Sequence, residues 1–135
     1  MPHLKELAWK RIEKHLVAEK ALEELICLSG GLLRDLVKYM QDACKEAIRN
    51  NSLMIDQTVV RKVKAKHVND YYRLFDFQKY GDAVRVLQDS GARPSDELLT
   101  PLLTNLFILE YRWGEGLWFD AHPCLKEVLQ RWNQR

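Results

Sequence analysis

The sequence predicts a mostly α fold: a helical bundle over the first part of the chain, then further helices and a single two-stranded β-hairpin. Two observations carry this reading. Apolar residues recur at spacings of three and four through nearly every segment, the period of a helix with one buried face. One stretch breaks that period. Leu106-Phe107-Ile108-Leu109-Glu110-Tyr111 is a β-rich run, followed by the turn signal Trp113-Gly114-Glu115-Gly116 and a second short run, Leu117-Trp118-Phe119.

Pro2 suits a helix start, and Leu4, Ala8, Ile12 and Leu16, joined by Trp9, make one face of a helix across about 3–16. A second helix is predicted over about 18–28, with Ala21, Leu22, Leu25 and Ile26 inward, and Gly30-Gly31 then breaks the chain. The third spans about 32–50, with Leu36, Val37, Met40, Ala43, Cys44, Ala47 and Ile48 on its apolar side and Asn50-Asn51 at its end. Asp56 is the expected N-cap of a fourth helix, whose apolar positions Val59, Val60, Val63, Val68 and Tyr71-Tyr72 are less regular. Tyr80–Ser90, ended by Gly91, forms a fifth. Ser95 caps a sixth over about 96–105, in which Pro101 implies a kink or a short first segment. His122-Pro123 opens a last helix with Leu125, Val128, Leu129 and Trp132 on one face. Helices at about 57–73, 78–90 and 96–105 followed by a hairpin stand in the order of a winged helix-turn-helix, with the hairpin as its wing. On this reading residues 1–55 are a helical subdomain and 56–135 a winged-helix subdomain.

A chain of 135 residues with 47% hydrophobic and 30% charged residues can bury a core and remain soluble as one domain or two small subdomains. Its net charge of +2 gives no argument for a nucleic-acid protein. No run approaches the ~18 apolar residues of a membrane span. Met1-Pro2-His3 is followed by no apolar signal region. A cytoplasmic protein without a membrane partner is therefore expected. Cys27, Cys44 and Cys124 are odd in number, far apart and without zinc-site spacing, so they read as buried, reduced thiols and no metal site is expected. A nucleophilic pair of Cys124 and His122 is disfavoured, because residues two apart rarely meet on a helix and Pro123 intervenes.

The stretch with most chemistry is Ser29-Gly30-Gly31-Leu32-Leu33-Arg34-Asp35-Leu36. Two glycines precede an amphipathic helix with an arginine in its first turn. Helix N-termini attract anions through free N–H groups and the dipole, and Arg adds a planar fork of donors suited to phosphate. Arg34 is thus either a phosphate reader or an anchor paired with an acid such as Asp35 or Glu24. Gly30 and Gly31 serve a positive φ or a close approach to a ligand or neighbour. Asp35 complements the helix dipole.

These residues resemble the sensor-2 segment of AAA+ ATPases and the related STAND NTPases, in which Gly-x-x-Arg opens a lid helix over bound nucleotide. Gly31 to Arg34 fit that pattern. Further pieces agree in order: Ile55 to Val60, Leu109-Glu110-Tyr111, and Trp118 to Pro123 with its Trp-x-x-x-His-Pro spacing. The resemblance covers nearly the whole chain and implies a helical lid followed by a winged helix. It also implies a non-catalytic C-terminal regulatory module that senses nucleotide and relays closure to a protein partner. The nucleotide-sensing residues would be Arg34, Gly30 and Gly31, with His122 as a winged-helix contact to nucleotide or, by default, a packing or capping residue. No G-x-x-x-x-G-K-[ST] segment is present, so no activity is expected of the chain alone. ATP and magnesium would enter only with a P-loop core supplied in cis by a larger ATPase, of which this chain is read as a fragment.

Two alternatives stand beside this reading. One is a DNA-binding winged helix. Arg61, Lys62, Lys64 and Lys66 form a basic run beside His67 that reads as a solvated face or as a weak nucleic-acid contact. Against DNA, the presumed recognition helix carries Asp96 and Glu97 at its start and no Lys or Arg. The other is a stand-alone adaptor. Tyr111, Arg112 and Trp113 at the wing are the candidate protein contact, since Trp, Tyr and Arg dominate interface hot spots.

Overall fold

In a computed structural model, which describes residues 2–12 and 16–133, the chain is mostly α with one antiparallel hairpin. The elements are α1 (Pro2–Arg11), α2 (Glu19–Leu28), α3 (Leu33–Arg49), α4 (Gln57–Leu74), α5 (Phe77–Ser90), α6 (Asp96–Thr104), β1 (Ile108–Trp113), β2 (Gly116–Ala121) and α7 (Pro123–Asn133). The chain divides into two compact units, Met1–His67 and Val68–Arg135, and the division falls within the span of α4. Asp56 does cap α4, its side chain accepting from the Val59 N–H at 3.0 Å. None of the helices among the described residues is long and apolar enough to cross a membrane.

In the first unit the core is built on Leu22, Leu25, Leu36, Tyr39, Ala43, Val59 and Val63, all buried. Each fully buried Leu is worth about 1.5–3 kcal/mol. α1 stops at Arg11, short of the helix expected across 3–16; residues 13–15 of that span lie outside the described residues. From Val17 the chain is extended. Val17 forms a parallel bridge with Ile55, the Ile55 N–H donating to the Leu16 carbonyl (2.7 Å) and the Ala18 N–H to the Ile55 carbonyl (3.0 Å). Burial on α3 is rotated from the expected face. Asp35 and Tyr39 turn inward, Val37 and Cys44 are half-buried, and Ile48 is 76% exposed. Cys27 is exposed, contrary to the expectation of a buried thiol.

The breaks between these helices are explained by C-terminal caps. At the end of α2, Gly30 has φ +65° and Gly31 φ +90°, a region that Gly occupies without a Cβ penalty. The Gly30 N–H donates to the Cys27 carbonyl (3.1 Å). The Ser29 hydroxyl, fully buried, donates to the Ile26 carbonyl (2.6 Å) and accepts from the Gly31 N–H (3.3 Å). At the end of α3 the same geometry is made by Asn51 (φ +53°), with the Ser52 N–H donating to the Ala47 carbonyl at 2.8 Å and the Asn51 N–H to that of Ile48 at 3.1 Å.

The second unit buries Val68, Phe75, Val84, Leu87, Leu102, Ile108, Leu125 and Val128. Phe75 stands edge-on to Phe77 and to Phe107, and Tyr71 edge-on to Phe107. Leu106 and Phe107, expected to open the first strand, instead close α6. Leu106 has φ +59°, its N–H donates to the Leu103 carbonyl and that of Phe107 to the Leu102 carbonyl. The strand starts at Ile108. Gly114, at φ +59°, opens the two-residue loop of the hairpin, as a type II′ turn requires.

Candidate functional site

The register of the hairpin decides which side chains share a face. Tyr111 pairs with Trp118, Leu109 with Asp120 and Trp113 with Gly116. Side chains alternate across a strand, so Leu109, Tyr111, Trp113, Trp118 and Asp120 lie on one face. That face is graded along its length. At its base Leu109 is buried; at its tip Trp113 is 83% exposed and Trp118 48%. The Tyr111 and Trp118 rings stack at 5.6 Å between centroids and 21° between planes. Burial and the nearby Asp120 carboxylate push the Tyr111 phenol up, so it remains a neutral donor. Arg112, on the opposite face and exposed, reaches Glu110 at 3.5 Å. The sequence singled out Tyr111, Arg112 and Trp113. The structure adds Trp118, which lies seven residues from Tyr111 in the chain and directly across the ribbon from it.

Arg34 is exposed in the first turn of α3. The helix begins after Leu32, which provides no side-chain cap. Among the described residues the Arg34 side chain makes no hydrogen bond or ion pair, and Glu24 accepts instead from Gln57. Gly30 and Gly31 are spent on the cap that ends α2.

His122 is wholly buried. It is the residue before Pro123 and acts as the N-cap of α7: its Nδ1 accepts from the Cys124 N–H at 3.1 Å, which puts the ring proton on Nε2. Its ring stacks on Tyr71 at 4.7 Å and its backbone N–H donates to the Phe107 carbonyl. The capping and packing role is therefore occupied. The donor in this bond is the Cys124 backbone N–H.

The basic run is divided by the helix period. Lys62 pairs with Glu46 of α3 at 3.5 Å and Lys66 with Asp42 of α3 at 3.6 Å, while Arg61 is exposed and Lys64 half-buried. His67 turns inward, its Nε2 2.7 Å from Asp42 and its ring 4.4 Å from that of Tyr39. At the start of α6, Asp96 is exposed and accepts from Arg93 at 3.0 Å, and Glu97 is exposed beside it. No group of three or more His, Cys, Asp or Glu side chains among the described residues could hold a metal ion.

No protein-family model, curated protein or solved structure matches this chain. The likeness to AAA+ and STAND segments rests on the motifs alone.

Proposed function

We propose that this chain is a non-catalytic regulatory module that docks on a protein partner through the aromatic face of its β-hairpin. The observation that carries the proposal is the 83% exposure of Trp113 on the same face as Trp118 and Tyr111. Tyr and Trp supply large, rigid contact area at low entropic cost, and they dominate interface hot spots. The exposed carboxylates at the start of α6 oppose a phosphate backbone there and favour a protein surface.

A second reading adds nucleotide sensing, with Arg34 contacting the phosphates of ATP held by a P-loop core. The absence of a side-chain cap at Leu32 and the exposed guanidinium, unpaired among the described residues, favour it.

Site-specific photo-crosslinking tests the docking face. A benzoylphenylalanine at position 113 or 118, in the cells that express the protein, should trap one and the same partner protein. The same probe at Thr104, exposed on α6, should not. Equal trapping at all three positions, or none at 113 and 118, would overturn the proposal.

A further inference from the structure

α3 and α4 enclose a cleft of about 340 Å³, at the lower end of the size of small-ligand sites. Four cations line it, Lys45 and Arg49 from α3 and Lys62 and Lys66 from α4, together with the carboxylates of Asp42 and Glu46. The two signs lie at different depths. The Asp42 and Glu46 side chains are only 15% and 18% exposed, whereas those of Lys62, Lys66 and Arg49 are 51%, 62% and 77% exposed.

The carboxylates are already engaged. Asp42 accepts from His67 and faces Lys66; Glu46 accepts from the Asn50 amide at 3.1 Å and faces Arg49 and Lys62. The acids are thus neutralised in place, and Lys62, Lys66 and Arg49 remain the more exposed of the groups that line the cleft. Lys45 is exposed and has no ion pair among the described residues. Four cations against two carboxylates leave a surplus of two positive charges among the groups that line the cleft.

We infer that this cleft binds a compact diphosphate group, either free pyrophosphate or the diphosphate of a small ligand. A guanidinium and three ammoniums on two walls can share its oxygens through charge-assisted hydrogen bonds. A surplus of two suits such an anion better than a duplex, which needs cations along its whole contact. The inference is independent of the hairpin proposal. Arg34 contributes no side chain to this cleft.

The test is titration of the full chain with inorganic pyrophosphate, followed by amide NMR shifts and calorimetry at fixed ionic strength. Shifts should centre on residues 42–49 and 62–66. Lys45→Gln, which removes no ion pair among the described residues, should weaken binding about fivefold, and Lys62→Gln with Lys66→Gln at least tenfold. Arg34→Ala should change it less than twofold. Equal affinity for ADP and pyrophosphate assigns recognition to the diphosphate alone; tighter ADP binding assigns a nucleotide as the source. Sulfate binding as tightly as pyrophosphate would overturn the inference. So would a 20-base-pair duplex that outcompetes pyrophosphate, or loss of binding in Arg34→Ala with Lys45→Gln unaffected.

Discussion

Replacing His122 tests whether its ring is a structural cap. In His122→Ala the Cys124 N–H loses its acceptor, the Tyr71 ring loses its stacking partner, and a fully buried side chain leaves a void. The cap is worth about 1 kcal/mol. The stack is worth about 0.5–1.5 kcal/mol. The void adds about 1 kcal/mol for a site that relaxes only partly. The expected loss is therefore about 3 kcal/mol, a fall of about 1.5 M in urea midpoint for a denaturant slope of about 2 kcal/mol/M. His122→Asn restores a side-chain acceptor at the N-cap but not the stack. It should recover about 1 kcal/mol of that loss, or about 0.5 M. Tryptophan fluorescence is the appropriate probe, since Trp113, Trp118 and Trp132 all lie in the second unit. Asn no better than Ala would refute the capping argument. A His122→Ala variant as stable as wild type would refute the structural role altogether.

Two further outcomes are expected. Burial lowers the pKa of His67 from 6.5, outweighing the Asp42 hydrogen bond that raises it, while Lys38 and Lys66 add to the lowering. The unfolded chain then takes up its proton first. The stability contributed by the neutral ring is complete above pH 6.5 and is lost as pH falls through the folded pKa, by at most about 1.4 kcal/mol per pH unit. Urea midpoints measured from pH 5 to 7.5 should fall on acidification, and His67→Gln should flatten that limb. Arg34→Ala should shift the thermal midpoint of the chain little, within about 0.5 kcal/mol, because the side chain is exposed and unpaired among the described residues. A loss of about 3–5 kcal/mol would instead identify a buried anchoring pair.

The helices were legible where one residue type has one local consequence. Asp56 before an apolar run, Gly91 (φ +72°) after one, and Gly114 in the hairpin loop each act within a single turn. Periodicity fails where the chain makes a choice that it does not encode. Leu16 continues the helical spacing of Leu4, Ala8 and Ile12. The segment nonetheless leaves the helix, because Val17 pairs with Ile55, far along the chain. Leu106 and Phe107 have strand composition, but the left-handed turn that ends α6 uses their N–H groups first. On α3 the buried stripe keeps the helical period but is offset in angle, with Tyr39 inside and Ile48 outside. Trp118 could have been found from sequence. A two-residue loop centred on Gly114-Glu115 fixes the register and puts Trp118 opposite Tyr111. The α3–α4 cleft could not have been, because its cations come from two helices whose alignment only the fold supplies.

The graded hairpin separates two demands on one pair of strands. Its root, Ile108, Leu109 and Ala121, is buried and belongs to the core; its tip, Trp113 to Trp118, is exposed and holds no interior together. Substitutions at Trp113, Glu115 and Leu117 can therefore accumulate at little folding cost, while Gly114 keeps the turn and the root stays in the core. Such a projection is a place where a lineage can exchange one binding partner for another without reinventing its scaffold. It is equally a place where an engineer can graft a new recognition loop.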